Sequence, residues 1–207
     1  MRHFEPVALA RALDALPSWA CLAFGALLLE RALPNFLRFE AETGASGGGM
    51  LRGAQAKVWD LLEGNDAASF RGITAKSCEV FAPDTEQHSS LYTSPALDAV
   101  SIACNLLDYA DSPRTDLLVD SASLRRDTIY LFVQKALRLA PSAPDLEMRL
   151  LAHPLMQEEL GFQQADLELL RRLAPDGRQS WPAVLERSIT LGYASFRMTL
   201  QAAQQLE

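Results

Sequence analysis

The stretch that decides the fold runs from Trp19 to Gly44: "WACLAFGALLL" (Trp19–Leu29), then "ERALPNFLRFEAETG" (Glu30–Gly44). The first part is apolar nearly all round. As a helix it would offer water no face, which predicts a place at the centre of a helical bundle. It falls well short of the roughly 20 apolar residues that span a bilayer, so a buried helix is expected rather than a membrane segment. The second part carries the charged pair Glu30–Arg31 and then Pro34–Asn35. Proline lacks a backbone N–H and disfavours helical geometry at the residue before it. The expected reading is therefore a joint: one helix capped by Ser18 and running to about Leu33, then a second from about Pro34 to Thr43, stopped by Gly44. Asn35 is placed to bond backbone groups that Pro34 leaves open.

Working outward, the remaining segments also read as helices. Pro6 suits the first turn of a helix to about Ala15. After "ASGGG", a flexible connector, Met50–Glu63 is helical with Gly64 as its stop. Ala67–Phe81 is expected to be helical despite Gly72 and Thr74 in its middle. "APDTEQHSSLYTSP" (Ala82–Pro95) is a polar loop long enough to suggest a role of its own. Ser94-Pro95 opens a helix in which Leu97, Val100, Cys104 and Leu107 form the apolar stripe. Thr115 starts another, to about Leu139. Its "TIYLFVQ" (Thr128–Gln134) is rich in strand-formers, but Leu118, Ala122, Ile129, Phe132 and Ala136 share one helical face. "APSAPD" (Ala140–Asp145) is a connector. Pro154–Leu173 is helical through Met156, Leu160, Leu167 and Leu170; "APDG" (Ala174–Gly177) is a turn. A last helix of about six turns starts at Ser180-Trp181-Pro182, with Leu185, Ile189 and Phe196 facing inward. The sum is a single all-α domain, residues 1–207: a bundle of about eight helices, mostly antiparallel neighbours.

Composition excludes several functions. The chain has 207 residues, 49% hydrophobic and 22% charged, with net charge −7. Only three lysines occur, Lys57, Lys76 and Lys135, and the arginines are scattered; nucleic-acid binding needs a basic face to neutralise phosphates, and none is indicated. Cys21, Cys78 and Cys104 are widely spaced and odd in number. They predict reduced thiols in the cytoplasm rather than a disulfide framework or a zinc site. The N-terminus, with Glu5 early and no small-residue cleavage site following a clean apolar block, lacks a signal-peptide layout.

Three blocks in order, "ERALPNFLRFEAETG", "SPALDAVSIACNLLDYA" and "HPLMQEELGFQQADLELL", resemble the YjaG-like bacterial proteins, a domain of unknown function. The likeness is strongest at Glu30–Asn35 with Thr43-Gly44, and again at Pro95-Ala96-Leu97-Asp98-Ala99. The third block departs from the family pattern at Leu160-Gly161-Phe162, where a Trp-containing stretch is expected. The resemblance implies an all-helical, cytosolic, bacterial protein and lends no activity.

The candidate binding residues are Glu30, Arg31, Asn35 and Asp98. Glu30 and Arg31 point about 100° apart on a helix and cannot pair with each other. Three readings stand for them: a solvated helix end with Arg31 near the last carbonyls, a buried polar junction to a partner helix, or a ligand site. Asp98 either serves the positive end of its own helix or, with Asn105 and Asp108, forms a polar face that meets Arg31 or Arg38 across a groove; Ile102 interrupts that face. No Glu-x-x-His, HExxH, P-loop, GxGxxG or GxSxG occurs, and His3, His88 and His153 are dispersed, so no metal and no cofactor are expected. Whether the chain is an enzyme stays open. The leading expectation is a non-enzymatic module that binds a protein partner, which includes a second copy of itself, without nucleic acid or membrane. The alternative is a small-molecule binder or enzyme with an inter-helical polar pocket near Glu30, Arg31, Asn35 and Asp98.

Overall fold

The computed structural model describes residues 1–138 and 145–191, and among them there is no strand. The helices are α1 (Pro6–Asp14), α2 (Ser18–Thr43), α3 (Gly48–Glu63), α4 (Ala75–Glu79), α5 (Thr93–Asp111), α6 (Thr115–Ala136), α7 (Leu146–Ala152), α8 (Pro154–Leu173) and α9 (181–191). The connector expected at Ala140–Asp145 falls almost wholly outside the described residues, as do Leu139, Phe196 and the later turns expected of the last helix. Thr128–Gln134 is helical, as the shared apolar face requires.

α2 is the axis of the bundle. α3, α5, α6 and α8 all pack on it, and from Ala20 to Leu29 every side chain is buried. By length and mean hydropathy (1.4) α2 alone would suffice to cross a membrane, and 83% of that stretch is covered by the rest of the bundle. Gly25 permits the closest approach: a Cβ added there would run into Leu106 of α5 and come within 2.9 Å of Leu118 of α6.

The expected break at Pro34 is absent. α2 continues through it to Thr43. A mid-helix proline removes one hydrogen bond, that of the Glu30 carbonyl, and costs about 3 kcal/mol. Ala32, Leu33, Asn35, Phe36 and Phe39 are all buried on the helical course, and unwinding would expose them; packing outweighs the local defect. The joint lies ten residues later. Gly44 ends α2 in the left-handed conformation (φ 72°), and its N–H donates to the Glu40 carbonyl. The Glu40 carboxylate accepts from the Gly48 N–H at 3.0 Å, fastening the start of α3 to the end of α2.

Other corrections are local. Pro17, not Ser18, precedes the first turn of α2, and no side chain caps it. Ala67–Phe81 is not one helix. Ala67 is left-handed (φ 51°), Ala68–Phe70 is a 3-10 turn, and Thr74 opens α4 through a capping box with Ser77. Thr74 starts a helix rather than sitting inside one. On α5 the innermost face is the small-residue side, Ala96, Ala99 and Ala103 with Ile102 and Leu106, which lets α5 lie close to α2. Leu97 and Cys104 sit at its edge. In α9 the buried positions are Val184, Ser188 and Leu191, and Ile189 is exposed. The long loop packs onto the end of α2: His88 stands edge-on to Phe39 at 5.0 Å, and Ser90 Oγ donates to Glu42.

Candidate functional site

Arg31 is fully buried, in the middle of the bundle. That removes the solvated-helix-end reading and leaves a polar junction. Its partner is α8, not Asp98. Arg31 Nη1 donates to Asp166 Oδ2 at 2.7 Å and Nε to Glu159 Oε1 at 3.3 Å. From α6, Arg125 Nη2 donates to Glu159 Oε2 at 3.0 Å. From α9, Arg187 Nε donates to Asp166 Oδ1 at 2.9 Å. Gln163 ties the layer to the α6 backbone, its Nε2 donating to the Ala122 carbonyl and to Glu159. The Arg31 and Arg187 guanidinium groups each lie 5.9 Å from the centre of the Phe162 ring, so the aromatic residue in the sequence's departing block touches both cations.

Electrostatics follow from this geometry. Burial opposes the charge of Arg31, but Glu159 and Asp166 outweigh it and its pKa stands above the ordinary value. Burial likewise pushes Glu159 up, and the Arg31 and Arg125 cations overcome it, so the carboxyl ends below its usual range. Arg125 goes the other way. Burial and the neighbouring Arg31 charge exceed the pull of Glu159, and its pKa falls. Its Nε and Nη1 have no hydrogen-bond partner among the described residues.

Asp98 sits at the margin of this layer. It accepts from Thr128 Oγ1 at 2.6 Å, on the turn of α6 that carries Arg125. Burial raises its pKa to about 6, against the pull of Thr128 and Arg125. Asn35 is buried one turn beyond Arg31 on α2. Glu30 faces away, towards α3: burial lifts it to about 7, opposed by a bond from Trp59. The structure thus brings Arg31 into the layer, sets Asp98 beside it through α6, and separates Glu30. None of the main clefts among the described residues unites the four. The main clefts lie elsewhere, and none is lined by Glu30, Arg31, Asn35 or Asp98. Asn105 and Asp108 line a separate groove with α4.

Arg125, Glu159, Gln163, Asp166 and Arg187 were not singled out from sequence. The signal for three of them was present: on the buried face of α8, Met156, Glu159, Gln163, Asp166 and Leu170 follow a regular 3-4-3-4 spacing whose central members are polar, with Leu160 also buried. Apolar stripes traced through Leu160 and Leu167 run beside it.

The fold and site define an all-α bundle whose core is crossed by a layer of ion pairs. A family model described as a protein of unknown function (DUF416) matches residues 8–182, and the chain belongs to that family, as the YjaG-like resemblance implied. A crystal structure of a DUF416 family protein from Shewanella baltica OS155 is similar in fold, with a TM-score of 0.72 at 18% identity over 87% of this chain and 93% of that one. No curated protein matched the chain.

Proposed function

We propose that the protein is a non-catalytic interaction module: a helical scaffold that offers a surface to a protein partner and uses the buried charge layer to hold its helices in register. The observation that carries this reading is the closure of the layer. Arg31, Glu159 and Asp166 are fully buried, are bonded to one another or to Arg125 and Arg187, and line none of the main clefts. Groups that meet no solvent and already hold counter-ions are poor candidates for substrate chemistry and good ones for specifying a single packing. The acidic net charge favours a protein over a nucleic acid, and three unbridged cysteines suit a reducing cytoplasm.

A second reading rests on Glu30. A half-buried carboxyl raised to about 7 has the pKa of a general acid–base group, which would make the α2–α3 side a small-molecule site. Affinity capture of the tagged chain from its own cytosol, read for both proteins and metabolites, decides between them. A stoichiometric protein retained by a Glu30→Gln variant supports the module. A metabolite lost with that variant, and no protein, supports the second reading.

A further inference from the structure

We infer that the groove between residues 1–5, α6, α7 and α8 docks an amphipathic helix of a partner protein that carries basic side chains on both sides of its apolar face. The inference rests on the interaction reading above and gives it a place and a partner chemistry.

Two clefts of about 610 and 520 Å³ share His3, Glu147 and Leu151 and so form one groove. Its floor is apolar: Leu150 and Met156 are buried, and Phe4, Tyr130 and Leu151 are half-buried. Met1 and Met148 extend it outward, at 72% and 62% exposure. Methionines adapt their shape to incoming apolar side chains, and a Met-edged apolar trough suits the apolar face of a helix. The rim selects the charge of the occupant. Among the described residues Glu5, Asp127, Asp145 and Glu147 line it against one guanidinium, Arg126; Asp145 lies 4.0 Å from Arg149, which leaves Glu5 and Glu147 for a partner. That guanidinium is occupied: Nε and Nη2 bond Asp127 Oδ1 at 2.9 and 2.6 Å, and the group lies 4.9 Å from the centre of the Phe4 ring. Basic residues flanking a partner's apolar stripe would meet carboxylates on each side. A second copy of this chain, with net charge −7, would bring like charge to the rim.

The wall is built before any partner arrives. The Arg2 N–H donates to Gln157 Oε1 at 2.7 Å, Gln157 Nε2 returns a bond to the Arg2 carbonyl at 3.0 Å, and Arg2 Nε reaches Gln164. The first residues are thereby laid along α8, so docking does not have to order them.

The test uses the full chain and a fluorescent Leu/Lys amphipathic peptide of roughly 18 residues, five helical turns. A Leu/Glu counterpart and a scrambled Leu/Lys peptide serve as controls. Anisotropy should show binding of the Leu/Lys helix alone. Glu5→Lys with Glu147→Lys, and separately Met148→Asp, should each weaken it by about tenfold or more, while Glu63→Lys with Glu79→Lys on α3 and α4, which do not line the groove, leaves it unchanged. All of these positions are exposed, and circular dichroism checks that each variant folds. No binding, equal binding of the scrambled or acidic peptide, or equal loss from the α3–α4 variant overturns the inference. If capture yields a protein partner that the groove variants still retain, this inference fails and the interaction reading stands. If capture yields no protein, both fail.

Discussion

The two halves of α2 use opposite means to pack the same helix. From Ser18 to Leu29 the contacts are apolar, and Gly25 brings α5 and α6 against the backbone. From Arg31 onward the helix carries a buried cation, a proline and a buried amide, and its partners on α8 are carboxylates. An apolar interface is specified by shape alone, and apolar cores that are repacked lose uniqueness before they lose stability. A guanidinium facing two carboxylates is specified by charge as well, since displacement leaves a charge in a medium that solvates it poorly. The apolar half supplies bulk stability; the charged half selects one alignment of α2, α6, α8 and α9.

The largest break in that comparison should come from the charged half. Glu159→Ala strands Arg125 and takes from Arg31 one of its two carboxylates, and is expected to cost on the order of 3–5 kcal/mol in denaturant melts. Arg31→Ala should be comparably damaging, and its combination with Asp166→Ala should cost less than the two single effects added. Strict additivity would mean that the Arg31–Asp166 bond is not an energetic unit. In the apolar half, Gly25→Val forces Leu106 and Leu118 aside and should cost about 1–3 kcal/mol, with a lower thermal midpoint but no coupling to the charged positions.

Smaller still is the pH effect of Asp98. Its folded pKa, about 6, lies above the ordinary 3.8, so the folded state binds the proton more tightly than the unfolded chain. The contribution of Asp98 then falls as pH rises from about 4 to 6 and is level above that, while Glu30, raised to about 7, adds a fall that extends to about pH 7. Asp98→Asn removes the first of these falls and should hold the bond to Thr128, leaving the variant as stable as the parent at pH 7 or more so, by up to on the order of 2 kcal/mol. Glu159 acts in the opposite sense. Its folded pKa is lowered, so its contribution is present at neutral pH and is lost as the medium is acidified through that pKa. Parallel profiles for the parent and Asp98→Asn between pH 4 and 6 would contradict the Asp98 assignment. The smallest effect belongs to the surface: Arg38→Ala breaks the exposed pair with Glu42 and should change stability by less than about 0.5 kcal/mol.

The same contrast explains what could be read from sequence. The unbroken apolar run Trp19–Leu29 placed the central helix, and the glycines at 44 and 64 marked real helix ends. Pro34 misled because a local penalty was weighed without the burial of Phe36 and Phe39 that overrides it. Arg31 drew notice for its position after a greasy helix, but its partner sits 128 residues away on α8, and no local pattern names a partner at that distance. Asp98 looked equally eligible. What distinguishes it from Glu159 and Asp166 is which helix packs against the Arg31 side of α2, a tertiary fact. Glu159, Gln163 and Asp166 were legible only to a tracing of α8 that allows polar residues on the buried stripe.

If the charge layer serves to align helices, its buried members can be exchanged for apolar ones. Replacing Arg31→Met, Arg125→Met, Glu159→Leu and Asp166→Leu together, with the part-exposed Arg187 left to turn to solvent, tests this by urea denaturation. An alignment device can be exchanged for apolar groups of similar volume with stability kept or raised, even though Glu159→Ala alone is severe. The fourfold variant should unfold in a cooperative transition within about 1 kcal/mol of the parent or above it. A fourfold variant as unstable as Glu159→Ala would contradict the alignment role.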